Sequence, residues 1–96
     1  MIKHMAFLRF NDEVSAERID EHFSACRGLA ARIPAAVDVQ CGVNFGERAA
    51  GFTHCILVTV RDREDLAAYL ADPAHVAVGQ AIRADAAEMI VMDADV

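Results

Sequence analysis

Residues 66–79 read LAAYLADPAHVAVG, and the arrangement of the rest of the chain depends on this stretch. Tyr69 lies in a helical run that stops at Asp72-Pro73, because the residue before a proline is pushed out of the α region. The same two residues are typical of the N-cap and first position of a new helix. That second helix carries an apolar stripe at steps of three and four residues, formed by His75, Val78, Gly79, Ile82 and Ala86. The pattern predicts two consecutive helices that direct Tyr69 and His75 towards one apolar space.

Four segments around these helices alternate between two faces, with the period of two that indicates a β-strand. The predicted strands are residues 2–10, 37–45, 52–60 and 89–94. A long amphipathic helix separates the first two strands, beginning after Ser15 and ending at Ile33-Pro34. The helix that carries Tyr69 begins at its own N-cap, Asp62. The order β-α-β-β-α-α-β predicts an α+β, ferredoxin-like fold with a four-stranded antiparallel sheet.

The composition argues against several kinds of partner. The 96 residues suffice for one domain, 1–96, and the net charge of −6 without a basic run disfavours nucleic acid and anionic membrane surfaces. No apolar run is long enough to span a bilayer, and the start lacks the pattern of a signal peptide, so we expect a cytoplasmic protein. The three cysteines, Cys26, Cys41 and Cys55, form no C-x-x-C motif and are expected to be reduced structural thiols.

The helices can cover only one face of the predicted sheet. The other face carries Met5, Phe7, Cys55 and Leu57, and an uncovered apolar patch of this kind marks an interface. A chain of this length buries roughly 60–70% of its unfolded surface when alone, so it folds only marginally by itself and gains from association. These two features predict that the chain pairs with itself, as a homodimer joined through the sheets.

Three histidines and one tyrosine are the candidates for a functional site. His4 and His54 lie on strand faces whose other residues are apolar, and helix periodicity directs Tyr69 and His75 at the same side of the sheet. We therefore expect all four side chains to line one small-molecule pocket between helices and sheet. A structural, hydrogen-bonded role is nevertheless the commoner explanation for any single inward histidine. His22 is assigned to the surface of the first helix, without a function.

Several segments resemble the stress-responsive α/β-barrel domain family, namely IKHMAFLRF, RIPA, GFTH and YLADPAHVAVG, followed by a last strand that ends at Asp93. The resemblance implies a ferredoxin-like protomer that dimerises through its sheets into an α/β barrel. Most of the family has no assigned activity, but one member type catalyses an aldol cyclisation of a linear polyketide thioester without a cofactor. By this resemblance His75 and Tyr69 would be catalytic and His4 and His54 would bind substrate, with no metal and no cofactor.

Two classes of function stay open at this point. The first is a cofactor-free cyclase or lyase, in which an imidazole removes a proton next to a carbonyl and a phenol stabilises the enolate. The second is a non-enzymatic, stress-associated dimer that binds a small ligand or keeps its histidines for structure. The absence of Trp disfavours a monooxygenase of the related dimeric type. The lack of a carboxylate at ligand spacing disfavours a metal site built from His4, His54 and His75. Cys26 stands where the cyclase has an aromatic residue, so the ligand would differ in size or shape.

Overall fold

The computed structural model describes all residues 1–96 and has the predicted order of elements. The strands are β1 (Ile2–Phe10), β2 (Asp38–Val43), β3 (His54–Val60) and β4 (Ala86–Asp95). They form one antiparallel sheet in the order β2-β3-β1-β4. The helices are α1 (Ala16–Arg32), α2 (Arg63–Ala71) and α3 (Pro73–Asp85). The fold is therefore the predicted ferredoxin-like α+β arrangement.

Each helix begins at the cap that the sequence predicts. The side chains of Ser15 and Asp62 accept hydrogen bonds from backbone N–H groups in the first turns of α1 and α2. Asp72 ends α2 and also caps α3, where its side chain accepts from the N–H of Ala74 beside Pro73. Since these N–H groups have no partner within the helix, the caps set the break between α2 and α3 locally. None of the three helices has the length and apolar character needed to cross a membrane.

The hydrophobic core lies between the helices and one face of the sheet. Its most completely buried side chains are Leu8, Leu29, Val58 and Val60. The predicted stripe of α1 packs into this core through Phe23, Cys26, Leu29 and Ile33. Full burial of one such aliphatic side chain stabilises the fold by about 1.5–3 kcal/mol. The core residues of β1 and β3 are those whose side chains point towards the helices, at every second position of each strand.

The opposite face of the sheet has no helix over it. Met5, Phe7 and Leu57 are half-buried there. On β4, Met92 pairs with Met5 and Ile90 pairs with Phe7, and both β4 residues are exposed. These side chains form a continuous apolar surface in the middle of the sheet, as the alternation predicts.

Three strands differ in length from their predictions, and the third begins two residues later than predicted. The second strand ends at Val43, because the side chain of Asn44 bonds the backbone of Gly46 and starts a turn that competes with the strand ladder. Phe45, the last residue of the predicted strand, is 100% exposed in that turn. The fourth strand is longer than predicted and spans Ala86–Asp95, since it pairs with β1 along nearly all of its length.

The prediction that His22 lies on the surface is wrong. Its side chain is only 4% exposed, and its Nε2 atom lies 2.6 Å from Oδ2 of Asp85 at the end of α3. The ring stacks on Phe10 with a centroid separation of 5.9 Å, and Arg18 donates to the same carboxylate at 3.0 Å. Position 22 borders the apolar stripe beside Phe23, so helix periodicity does not decide its burial. Residues from β1 and α3 cover it.

Candidate functional site

A cavity of about 300 Å³ lies between the helices and the sheet. Five polar side chains line it, those of His4, Tyr69, His75, Arg83 and Asp93. The remaining lining is almost entirely apolar and includes Cys26, Leu29, Ile82 and Met89. A mostly apolar concavity with a few converging polar groups has the character of a small-molecule site.

Three aromatic rings meet at one end of this cavity. The break at Asp72-Pro73 brings Tyr69 of α2 against His75 of α3, with 4.7 Å between ring centroids. The inward face of β1 presents His4, whose ring lies 6.1 Å from that of Tyr69 and 6.4 Å from that of His75. The structure therefore brings together three of the four side chains that the sequence predicts for the site.

His75 is held as a neutral base. Its Nδ1 atom lies 3.2 Å from the carbonyl oxygen of Leu70. A carbonyl oxygen can only accept, so Nδ1 carries the proton and Nε2 keeps its lone pair. Burial lowers the pKa of His75 below the ordinary value of 6.5, more than the bond to Leu70 raises it. The imidazole is consequently unprotonated near neutral pH and can take up a proton.

Tyr69 offers an unused hydroxyl. The side chain is 2% exposed, yet its hydroxyl makes no hydrogen bond to another protein group. No fully sealed side-chain oxygen or nitrogen in the chain lacks a partner, so this hydroxyl must open onto the cavity that Tyr69 lines. Burial raises the pKa of Tyr69, with smaller contributions from Cys26 and Cys41. The phenol therefore keeps its proton and is a hydrogen-bond donor to whatever occupies the cavity.

His4 is oriented by a carboxylate that the sequence analysis did not identify. Its Nδ1 atom lies 2.5 Å from Oδ1 of Asp93, the residue opposite it across β1 and β4. The carboxylate accepts from Nδ1–H, which leaves Nε2 of His4 without a partner in the protein. The pairing of β1 with β4, and not spacing along the sequence, therefore places a carboxylate beside one of these histidines. No group of three or more His, Cys, Asp or Glu side chains is arranged to hold a metal ion.

The prediction that His54 shares the cavity is wrong. His4 pairs with Val58, whereas His54 pairs with Leu8, so the two histidines lie four residues apart along the sheet, about 13 Å. His54 packs instead against Phe10 and Phe23, with ring centroids 5.3 and 5.5 Å away. Burial lowers the pKa of His54, and its Nδ1 atom pairs with the hydroxyl of Thr53 at 2.7 Å.

The cysteine in the cavity wall is not a reactive group. Hydrogen bonding with Cys41 and burial both raise the pKa of Cys26, so this thiol stays protonated. All three cysteines of the chain are free thiols. Cys26 therefore contributes a small, neutral surface next to Tyr69.

Comparison with known proteins places this geometry in context. The chain is 32% identical over 94 residues to olivetolic acid cyclase from Cannabis sativa, covering 96% of this chain and 93% of the cyclase. A dimeric ferredoxin-like protein of unknown function from Jannaschia sp. is 26% identical, with a TM-score of 0.88 over 99% of this chain and 98% of the other. A hydroxynitrile lyase from Passiflora edulis, 20% identical, shares the fold with a TM-score of 0.93 over 99% and 92% of the two chains.

The family follows from the sequence match itself. Residues 2–96 match the pattern of the stress responsive A/B barrel domain. This match spans nearly the whole chain, and the identity to the cyclase also covers 96% of it. The chain therefore belongs to the stress responsive A/B barrel domain family.

Proposed function

We propose that this protein is a cofactor-free acid–base enzyme of the cyclase or lyase type, which forms or breaks a carbon–carbon bond next to a carbonyl. The observation that carries the proposal is the pairing of a neutral imidazole with a buried, unpartnered phenol on one apolar cavity. His75 and Tyr69 lie 4.7 Å apart by ring centroid. The 32% identity to olivetolic acid cyclase supports the same class of chemistry.

In the proposed reaction, Nε2 of His75 removes a proton from the carbon next to a carbonyl group. The electron pair of that C–H bond moves into the enolate, and the negative charge develops on the carbonyl oxygen. Tyr69 donates its hydroxyl hydrogen bond to that oxygen, as an oxyanion donor does. The enolate carbon then attacks a second carbonyl, the π electrons of that carbonyl move onto its oxygen, and this oxygen takes back the proton held on Nε2 of His75. The reverse sequence cleaves such a bond.

His4 has a supporting place in this scheme. Because Asp93 holds Nδ1, the ring is fixed with Nε2 available to a second polar group of the substrate. The apolar walls around the three rings exclude water and strengthen each of these hydrogen bonds. His54 has no place in it, because it lies outside the cavity lining.

A non-enzymatic dimer with structural histidines is the alternative. A structural role fits His22 and His54, because both rings pack against Phe10. It leaves the unpartnered hydroxyl of Tyr69 unexplained, because a purely structural tyrosine in a core ordinarily has a hydrogen-bond partner.

Proton exchange next to a ketone tests the proposal directly. The wild-type protein should accelerate deuterium uptake by the central carbon of acetylacetone in D₂O, followed by NMR. His75→Ala should slow the catalysed exchange by about 10²–10⁴-fold, because the general base is gone. Tyr69→Phe should slow it as well, since the enolate loses its donor.

The matched control is His54→Phe, which removes an imidazole of the same sheet face outside the cavity. It should leave the exchange rate unchanged. Wild-type protein that fails to accelerate exchange, or a His75→Ala variant as active as wild type, would decide for the non-enzymatic reading.

We further propose that two chains associate through the uncovered sheet faces. The surface around Met5, Phe7 and Leu57 supports this, as does the dimeric state of the related Jannaschia protein. An obligate interface of this kind buries on the order of 2,000 Å² or more. Phe7→Asp should therefore give monomer or aggregate in sedimentation, whereas Val76→Asp, on the exposed side of α3, should not. A wild-type chain that sediments as a monomer at micromolar concentration would contradict the proposal.

A further inference from the structure

The cavity contains a cation that no other part of the fold uses. Arg83, an exposed residue in the C-terminal half of α3, lines the cavity and is absent from every ion pair in the protein. The carboxylates closest to it along the chain are already engaged. Asp85 accepts from His22 and Arg18, and Glu88 accepts from Arg9. The guanidinium of Arg83 therefore has no internal counterion.

Arg83 is close enough to the proposed base to act on it. It lies eight residues after His75 on the same helix, about 12 Å along the axis, and helical side chains tilt back towards the N-terminus. Burial is the main cause of the lowered pKa of His75; the charges of His4 and then Arg83 lower the pKa further, whereas that of Asp72 raises it. Asp93, the acid in the cavity, is bonded to His4 and does not neutralise this charge.

We propose that Arg83 binds a carboxylate of the ligand, so that the substrate class is an oxo acid whose ketone reaches Tyr69 and His75. This inference rests on the proposed function and adds the identity of the substrate's second group. A guanidinium matches a carboxylate with two parallel hydrogen bonds, in a geometry that a lysine cannot reproduce. The chain as a whole carries a net charge of −6 and repels anions, so a single local cation is needed to hold one.

Anion binding at this position also has a consequence for the reaction. Once a carboxylate pairs with Arg83, the positive charge felt by His75 is neutralised. The pKa of His75 then rises towards its ordinary value, and the imidazole becomes a stronger base. An oxo acid would thus increase the basicity of the group that deprotonates it, whereas a neutral ketone would not.

Levulinate and its methyl ester provide the test, because both carry the same ketone and only one carries a charge. Binding is measured by NMR titration of the wild type, Arg83→Gln, Arg83→Lys and the control Arg32→Gln, an exposed unpaired arginine outside the cavity. Wild type and Arg32→Gln should bind levulinate about tenfold or more tighter than the ester, the factor expected of a charge-assisted hydrogen bond. Arg83→Gln should lose this preference, and Arg83→Lys should keep part of it.

Two further readouts separate this inference from the proposed function. Deuterium uptake next to the ketone of the ester should be no slower in Arg83→Gln than in wild type, because the ester has no carboxylate for Arg83 to bind and His75 is retained. The NMR-observed pKa of His75 should rise in Arg83→Gln, and in wild type when levulinate is added.

The contrary results are equally distinct. Equal affinity for acid and ester in wild type, or slower exchange of the ester in Arg83→Gln, would overturn the role of Arg83 in binding a carboxylate. Failure of wild type to catalyse exchange of the ester while it still prefers levulinate would overturn the enzymatic proposal and leave the anion site standing. Binding of neither compound at millimolar concentration would overturn the carboxylate site.

Discussion

The protein contains two histidine–aspartate pairs of nearly equal length in very different surroundings. In one, His4 bonds Asp93 at 2.5 Å on the edge of the cavity. In the other, His22 bonds Asp85 at 2.6 Å in the junction of α1 with the end of α3. Both pairs join residues that lie far apart in the chain, so both also tie elements of the fold together.

The difference lies in what the rest of each ring contacts. His22 stacks on Phe10 with an interplanar angle of 8°, and its carboxylate partner is shared with Arg18. The ring of His4 does not stack on another ring, because it meets Tyr69 and His75 edge-on. Its Nε2 atom has no protein partner and lies at the cavity that these residues also line. A histidine–carboxylate contact is therefore no evidence of chemistry by itself. The unoccupied nitrogen and the space in front of it distinguish a candidate site from a structural pair.

Of the two pairs, the cavity pair should have the larger effect on activity when it is removed. We expect His4→Ala to lower the rate of ketone α-proton exchange by about tenfold, because the substrate loses one hydrogen bond. Asp93→Asn should have a smaller effect in the same direction, since the ring stays but loses its fixed orientation. Both variants should keep the wild-type melting temperature within a few degrees. A large loss of stability without a loss of rate would make His4 a structural residue like His22.

Removing the sealed pair should have the largest effect on stability. His22→Ala loses a buried hydrogen bond to a carboxylate and the stacking on Phe10, together about 2–4 kcal/mol of unfolding free energy. Chemical denaturation measures the change, and the exchange rate per folded molecule should stay near wild type. An equal and large effect on rate and stability would show that the two pairs do not divide their roles as proposed.

Lowering the pH should reduce the exchange rate at the cavity before it reduces the stability contributed by Asp85. Burial lowers the pKa of His75 below 6.5, so the exchange rate should stay flat through pH 6.5 and fall only below it. Hydrogen bonds from His22 and then Arg18 lower the pKa of Asp85 below 3.8. The stability that Asp85 contributes is therefore present above 3.8 and is lost as the pH falls through its folded-state pKa.

Exchange rates measured from pH 7 downwards check the prediction for His75, and denaturation curves over the same range check the prediction for Asp85. Activity should decline before the contribution of Asp85 is lost, and Asp85→Asn should remove that part of the acid dependence of stability. An exchange rate that already falls above pH 6.5 would contradict the assignment of His75 as the base.

His54 should give the smallest effect of all. His54→Phe keeps an aromatic ring among Phe10 and Phe23 and removes only the bond to Thr53. We expect a stability change below about 1.5 kcal/mol, as for other volume-conserving replacements, and no change in rate. A clear loss of exchange activity in this variant would contradict the conclusion that His54 lies outside the functional site.

Local patterns in the sequence determined much of this protein. The caps at Ser15, Asp62 and Asp72 are read within four residues of chain, and all three helices begin there. The period of two assigns His4 to the helix side of the sheet, and the period of three and four does the same for His75. Fold class, helix starts and the inward direction of three site residues could therefore be predicted, because each depends on neighbours along the chain.

The tertiary structure decided where along those faces each side chain lies. Alternation assigns His54 and His4 to one face, but only the pairing of β1 with β3 shows that they lie four residues apart along it. The pairing of β1 with β4 likewise brings Asp93 to His4 across 89 positions of sequence. His22 is buried because Asp85 and Phe10 arrive from other elements. Strand register and helix docking depend on non-local packing, which no period within a single segment records.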